Sequence, residues 1–328
     1  MTIRHRLLAL TVVVLWGLNF IAIHAGLEHF PPFFFAGLRF AVMAIPVILF
    51  VPWPNVQLRW FLLYGIGFGT IQFAFLFLAM HIGMPTGLAS LVLQSSAPFT
   101  VLLGVLLLGE TMSLRQSGGL LVALAGMVVI GVDRAMHGEG VAVIGILLTL
   151  AGGFGWALGN IGSRLAQPDS ALRLTLWMSV VPPLPLFALS MIFDGPTAGV
   201  HSLTTLGDHS GLVALVGLAY VVFLGTIAGS GLWTHLLSHF PASQVAPFSL
   251  LVPVVGITAS WLLLDEVPTV AEVVGGVVII VGCMVGMSRA RRSDHATVAP
   301  DPTASDPTVS GCATGAPDDM APTVRPTV

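Results

Sequence analysis

The stretch that decides the fold is residues 88–110, LASLVLQSSAPFTVLLGVLLLGE, because its ending recurs 156 positions later in the chain. Residues 106–110 are LLLGE, and residues 262–266 are LLLDE. Other residues recur at the same offset: Tyr64 at Tyr220, Gly69 and Thr70 at Gly225 and Thr226, Pro85 at Pro241, Gly119 at Gly275, and Gly126 at Gly282. An internal repeat at one fixed offset, nearly without gaps across three hydrophobic segments, indicates two copies of one unit.

The composition predicts a membrane protein. Of the 328 residues, 55% are hydrophobic and 8% are charged, whereas a soluble domain carries about 25% charged residues. The mean hydropathy is +0.95. Because so few ionisable groups cannot cover a globule of this size, lipid must cover much of its surface. We therefore predict an all-α polytopic membrane protein.

Composition and motifs also limit the partners and cofactors. The net charge of -3 is small, so no nucleic-acid partner is indicated, and all 12 basic residues are arginine. Cys283 and Cys312 share no motif and no HExxH pair occurs, so we expect no disulfide, metal or other cofactor. A nucleophile elbow, a Walker lysine and paired intramembrane carboxylates are also missing from the sequence. These features argue against an enzyme and exclude ATP-driven pumping by this chain alone.

Ten segments meet the requirement of about 20 mostly apolar residues for a membrane-spanning helix. They are residues 7–26, 33–51, 61–81, 86–108, 116–132, 142–163, 174–193, 211–232, 242–264 and 270–288. The first segment follows two arginines, as a signal peptide would. However, its Trp16-Gly17-Leu18-Asn19 resembles Trp156-Ala157-Leu158-Gly159-Asn160, so we interpret it as a retained helix.

The arginines predict the orientation, because cytoplasmic loops carry an excess of them. With the N-terminus inside, the cytoplasmic set is Arg4, Arg6, Arg59, Arg115, Arg164, Arg173, Arg289, Arg291 and Arg292. The opposite side has only Arg134. We therefore expect both termini in the cytoplasm and the chain in the inner, cytoplasmic membrane.

Five helices per copy is an odd number, so the second copy must enter the membrane from the opposite face. Residues 1–135 are then the first five-helix repeat, and residues 136–290 are the inverted second repeat. Residues 291–328, rich in Pro, Thr, Ala and Ser, are predicted to form a disordered cytoplasmic tail. Secondary transporters use this inverted plan, with the substrate site near the midplane between the copies. The oligomeric state is left open.

Arg39 is the one ionisable residue placed firmly inside a predicted span. Burying it costs at least ~2.5–3.5 kcal/mol at a helix centre. One interpretation is that Arg39 faces a polar cavity and attracts a carboxylate. The other is that it extends to the nearer membrane surface or braces a neighbouring carbonyl. The sequence does not decide between them.

The first and sixth helices carry matching polar positions. Trp16 and Asn19 correspond to Trp156 and Asn160, and an asparagine amide facing lipid would be left without hydrogen bonds. All four are therefore candidates for a cavity lining. The alternative is that the asparagines form hydrogen bonds between helices.

The third, fourth and ninth helices supply the other candidates. Gln72, Gln94 and Ser249 are predicted to line the path, and Thr226 in the eighth helix carries a weaker signal. The proposed helix breaks or hinges are Pro98, Pro247 and Pro253. Each proline removes a backbone donor and frees an upstream carbonyl, although ordinary kinked packing is an alternative. Glu110 and Glu266 close their helices and are predicted to be structural residues at helix ends.

Several motifs resemble the drug/metabolite transporter superfamily and, within it, the EamA family. They are VLWGLNFIAI at 14–23, AGLRF at 36–40, GMPTGLASLVLQSSAPFT at 83–100, and LLLGE paired with LLLDE. QFAFLF, WALGNI and VAPFSLLVPVVG add to the likeness, which covers residues 5–288 and omits the tail. The closest resemblance is to family members that export metabolites of the cysteine pathway.

This resemblance implies an inner-membrane exporter of O-acetylserine, cysteine and related amino acids that works by alternating access. Amide and hydroxyl groups with one arginine suit a small zwitterion, and Trp16 and Trp156 could contact its ammonium group by cation–π interaction. Alternatives are export of aromatic amino acids, drugs or another metabolite and, remotely, a polytopic membrane enzyme. For proton coupling, the embedded candidates are His24, His81 and His235, so facilitated diffusion is also open.

Overall fold

The computed structural model describes residues 2–109, 113–136, 140–240 and 242–287, and these residues form helices without any strand. Helices α1 to α10 are, in order, Ile3–Leu27, Pro32–Phe50, Leu58–His81, Thr86–Leu108, Leu114–Met136, Gly140–Ala166, Ala171–Asp194, 209–239, 242–264 and Val270–Met287. Nine helices of this described part are long and apolar enough to cross a membrane, and α10 supplies the shorter apolar segment Val270–Val285. The predicted all-α membrane architecture is confirmed.

Two segments depart from the predicted spans. A short helix, Ala198–Thr204, lies in the predicted break between α7 and α8. Helix α8 continues to His239, beyond the predicted end at residue 232, because Leu236 is fully buried and packs with Ala9 and Val245. Glu110 and the tail from residue 291 lie outside the described residues.

The contact between α5 and α10 shows the inversion directly. A Cβ atom added to Gly126 would lie 2.7 Å from the carbonyl oxygen of Gly275, and one added to Gly282 would lie 2.7 Å from that of Gly119. The offset of 156 relates Gly119 to Gly275 and Gly126 to Gly282. The same two positions therefore meet twice with their roles exchanged, in antiparallel helices. A two-fold axis perpendicular to the helices produces this pattern, as in an inverted repeat.

Both helices of this pair also begin in the same way. Ser113 and Gln116 form a capping box at α5: the Gln116 Oε1 accepts the Ser113 N–H at 2.9 Å, and the Ser113 Oγ accepts the Gln116 N–H at 3.3 Å. Thr269 and Glu272 repeat it at α10, with distances of 2.9 and 3.1 Å. These reciprocal bonds satisfy two otherwise unpaired backbone donors at each helix start.

Irregular turns occur at equivalent places in the two repeats. Helix α3 contains a π-helical segment at Gly65–Ile71, and α8 contains one at Tyr220–Ala228. Helix α4 narrows to a 3₁₀ turn at Leu93–Ser95, and α9 is interrupted at residues 250–251. Adding 156 to the first range of each pair places it on or beside the second. The irregular turns are thus shared features of the unit.

The prolines proposed as helix breaks lie around these interruptions. Pro98 is buried in the first turn after the α4 break, and Pro253 is buried in the first turn after the α9 break. A missing N–H costs least in a first turn. Pro247 lies before the α9 break, and its carbonyl accepts the Leu250 N–H at 3.3 Å.

Candidate functional site

Arg39 is buried inside the helix bundle, with 5% of its surface exposed. Its Nη2 donates a hydrogen bond to the Thr226 Oγ1 at 2.8 Å. Its guanidinium carbon lies 4.0 Å from the ring centroid of Phe73 and 4.8 Å from that of Phe40. The Nη1 is buried and has no hydrogen-bond partner among the described residues. The side chain therefore points towards α8 instead of the membrane surface, and its Nη1 amino group is left without an acceptor.

Thr226 of α8 is oriented to accept the hydrogen bond from Arg39. The Thr226 hydroxyl donates to the Val221 carbonyl at 2.7 Å, five residues earlier in the π-helical segment. With its hydrogen used in that bond, the oxygen can only accept, and the Arg39 Nη2 supplies the donor. The equivalent hydroxyl in the first repeat, that of Thr70, is buried and has no partner within the described residues.

Asn19 and Trp16 of α1 contact the same part of α8. The Trp16 Nε1 donates to the Gly225 carbonyl at 3.0 Å, and its ring centroid lies 5.1 Å from that of Trp233. The Asn19 Oδ1 lies against the Cα of Gly225, in space that a Cβ atom would fill. That oxygen is buried and has no hydrogen-bond partner within the described chain.

Other predicted residues form hydrogen bonds between helices. The Gln94 Nε2 donates to the Ser249 carbonyl at 3.1 Å, which joins the two interrupted helices α4 and α9. The Asn160 Nδ2 donates to the Thr100 Oγ1 at 3.0 Å, so α6 is tied to α4. Trp156 packs edge-on against Phe68, with centroids 5.7 Å apart. Gln94 and Asn160 thus act as interhelical contacts in this conformation.

Gln72 lies in the contact between α3 and α6. It is 2% exposed, and its Oε1 has no partner in the described part of the chain. Glycines of α6 allow this close approach: a Cβ on Gly155 would lie 2.8 Å from the Gln72 backbone nitrogen, and one on Gly152 would lie 3.0 Å from its carbonyl oxygen. Ser95 of α4 presents another unpartnered buried hydroxyl, next to Gly153. Helical periodicity did not single out Ser95 or Thr70, although the equivalence of Thr70 with Thr226 was an available signal for Thr70.

Glu266 clamps the start of α4. Its Oε1 accepts the Thr86 N–H at 2.9 Å, and its Oε2 accepts the Gly87 N–H at 3.1 Å. A carboxylate at a helix N-terminus pairs with unused backbone donors and with the positive end of the helix dipole. The two helices are also close here, because a Cβ on Gly87 would lie 2.5 Å from the Ser260 Oγ of α9. The two repeats are therefore joined at this end, which the arginine pattern predicts to be external.

Equivalent positions of α4 and α9, near opposite ends of the bundle, differ in exposure. In α4, Leu88, Leu91 and Val92 are all buried. Their equivalents in α9 are Gln244, Pro247 and Phe248, of which the first two are exposed and the third is half-buried. The two repeats therefore differ in side-chain burial at equivalent positions.

None of the three histidines considered for proton coupling is buried. His24 faces Glu28 at 3.8 Å near the end of α1, and both side chains are partly or largely exposed. His81 and His235 are exposed.

Comparison with known proteins agrees with this architecture. The profile of the EamA-like transporter family matches residues 5–132 and 143–287, that is, five helices each time. A protein of Escherichia coli (strain K12) named "Probable amino-acid metabolite efflux pump" is 43% identical over 284 residues, covering 85% of this chain and 93% of the relative. A protein of the same name from Salmonella typhimurium is 40% identical with the same coverage. The "Uncharacterized transporter YvbV" of Bacillus subtilis is 31% identical over 303 residues, covering 85% and 89%.

Proposed function

Because this chain belongs to the EamA-like transporter family, we propose that it is a secondary transporter that exports small amino-acid metabolites across the cell membrane. O-acetylserine, cysteine and related amino acids are the proposed substrates. Support for an amino-acid metabolite comes from the names of two relatives that are 43% and 40% identical to it. Support for a zwitterion comes from the polar groups of the helix bundle.

The observation that carries this proposal is the unused Nη1 of Arg39. A buried cation without an anionic partner is costly, and such residues in membrane proteins mark substrate or ion pathways. The carboxylate of an amino acid would accept from Nη1 while Thr226 continues to hold Nη2. A charge-assisted hydrogen bond of this kind contributes about 1.5–3 kcal/mol. The positive charge also disfavours cationic drugs, one of the alternative substrate classes.

Alternating access is the proposed transport mode. The two repeats close at the Glu266 end, whereas α9 is less covered at the equivalent opposite end. If the Glu266 end opened while the opposite end closed, Arg39 and its neighbours would be exposed to each side of the membrane in turn. The tail of residues 291–328 is proposed to have no part in this exchange.

We propose that transport is facilitated diffusion, driven by the concentration gradient of the substrate. Proton antiport needs a titratable group on the path, and none of His24, His81 and His235 is buried. We expect the flux in liposomes to be the same with and without an imposed pH gradient. Acceleration by the gradient would contradict this part of the proposal.

Counterflow of labelled O-acetylserine tests the proposed function. The full-length wild-type protein in liposomes should accumulate the label, and Arg39→Gln should raise the half-saturating concentration at least about tenfold. Arg59→Gln is the matched control, because Arg59 is exposed and its side chain contacts only its near neighbours Gln57 and Trp60 among the described residues. Wild-type protein without counterflow would rule out this substrate. Arg39→Gln with wild-type kinetics would rule out the role of Arg39.

A further inference from the structure

Asn19 and Arg39 reach the same place in the bundle from two different helices. Asn19 lies against Gly225, and Arg39 bonds to Thr226, the next residue of α8. Asn19 lies about 12 Å along α1 from its end at Leu27, and Arg39 lies about 11 Å along α2 from its start at Pro32, at 1.5 Å per residue. The two side chains are therefore at nearly the same depth in the membrane.

The unpaired atoms of these two side chains have opposite hydrogen-bonding character. The Asn19 Oδ1 is an acceptor, and the Arg39 Nη1 is a donor. Both are buried, and neither has a partner among the described residues. A buried polar group without a partner destabilises the folded protein. A ligand with one cationic donor and one anionic acceptor would satisfy both at once.

The local backbone of α8 supports a ligand site here. The segment Tyr220–Ala228 is π-helical, a geometry that is rare and frequently found at functional sites. Gly225 has no side chain, which leaves room for the Asn19 amide. Trp16 donates to the Gly225 carbonyl and so holds this segment in position.

Both repeats contain a π-helical segment, but among the described residues the contacts with an arginine and an asparagine are made by the segment of the second repeat. Thr70 is the first-repeat equivalent of Thr226, yet its hydroxyl has no partner in the described chain. The asparagine equivalent to Asn19 is Asn160, whose amide donates to Thr100. A packing device shared by the duplicated unit would be expected twice, whereas a site for one small ligand is needed once.

We propose that Asn19 and Arg39 together bind the head group of an α-amino acid. The Asn19 Oδ1 accepts from the ammonium group, the Arg39 Nη1 donates to the carboxylate, and Asn19 determines the preference for a free amino group. This site rests on the proposed export of amino-acid metabolites. It replaces cation–π contact with Trp16 as the mode of ammonium recognition, because the Trp16 ring packs on Trp233 and its N–H is used by Gly225.

The test compares inhibition of O-acetylserine counterflow by three compounds in liposomes. They are unlabelled O-acetylserine, 3-acetoxypropionate, which lacks the ammonium group, and 2-acetoxyethylamine, which lacks the carboxylate. In Asn19→Leu, the inhibitory concentration of O-acetylserine should rise about tenfold, towards that of 3-acetoxypropionate, whose own value should not change. Thr11→Val is the matched control, because Thr11 is an exposed residue of the same helix.

The possible outcomes separate this site from the proposed function. Wild-type counterflow with unchanged discrimination in Asn19→Leu overturns the head-group site and leaves the exporter intact. Failure of the wild-type protein to transport any α-amino acid overturns both. If Asn19→Leu does not insert normally, Asn19→Ser carries the same test, because its shorter hydroxyl withdraws the acceptor from the ammonium group. A Ser variant that discriminates like the wild type would also overturn the site.

Discussion

Replacing Glu266 by glutamine should weaken the closure between α4 and α9. The two carboxylate oxygens accept the Thr86 and Gly87 N–H groups at 2.9 and 3.1 Å. An amide keeps one acceptor but turns an NH₂ group towards the second N–H, so one bond is lost and the negative charge is removed from the helix start. A charge-assisted hydrogen bond contributes about 1.5–3 kcal/mol. A loss of about 2 kcal/mol would raise the population open at this end about thirtyfold.

A cysteine at position 260 reports this opening. Ser260 is 1% exposed and lies next to Gly87, so a thiol there is protected while the junction is closed. In a background without Cys283 and Cys312, a membrane-impermeant maleimide added to whole cells should label Ser260→Cys about thirtyfold faster when Glu266→Gln is also present.

Asp265→Asn is the matched control for this experiment. Asp265 precedes Glu266 and has a φ of 55°, a left-handed conformation that asparagine also tolerates. Its replacement removes a negative charge from the same loop but leaves the Thr86 and Gly87 bonds in place. Equal labelling rates with and without Glu266→Gln would refute the role of the clamp.

Two further predictions use pairs of matched positions. Thr226→Val should raise the half-saturating substrate concentration about tenfold, because the Arg39 Nη2 loses its acceptor. Thr70→Val should have little effect, since the Thr70 hydroxyl has no partner among the described residues. Equal counterflow kinetics of the two variants would contradict this. Gly126→Ala should lower the free energy of unfolding by about 1–3 kcal/mol, because its Cβ would lie 2.7 Å from the Gly275 carbonyl oxygen. The same substitution at Gly131 meets no atom within 4 Å and should not destabilise the protein. Thermal unfolding in detergent checks the second pair, and equal melting temperatures would count against the close α5–α10 contact.

The helices and their inversion follow from one-dimensional features of the chain. Apolar runs of about 20 residues predict the spans, and the offset of 156 predicts the exchanged glycine contacts of α5 and α10. The short helix Ala198–Thr204 was missed because it lies between spans and contains few strongly apolar residues.

The polar contacts were less predictable. Periodicity indicates which residues share a face of a helix, but not which helix that face meets. Gln94 and Asn160 were predicted to line a cavity, with interhelical hydrogen bonds as the alternative for the asparagine, and in this conformation they bond to Ser249 and Thr100. Thr226 was undervalued because a π-helical segment changes the register of a helix from its usual 3.6-residue period.

Long-range partners could not be predicted from local patterns either. Arg39 meets a hydroxyl 187 positions away, and Glu266 meets a backbone amide 180 positions away. Such pairs depend on how the two repeats pack together. The duplication identifies equivalent positions, but it does not determine which of them are in contact.

Recognition of a carboxylate by Arg39 is tested most directly by comparing O-acetylserine with its methyl ester. Both compounds are used as inhibitors of O-acetylserine counterflow in liposomes that contain wild-type or Arg39→Gln protein. The wild-type protein should prefer the free carboxylate by at least about tenfold, and Arg39→Gln should lose this preference. An Arg39→Gln variant that still prefers the free acid to the same extent would contradict a carboxylate site at the buried arginine.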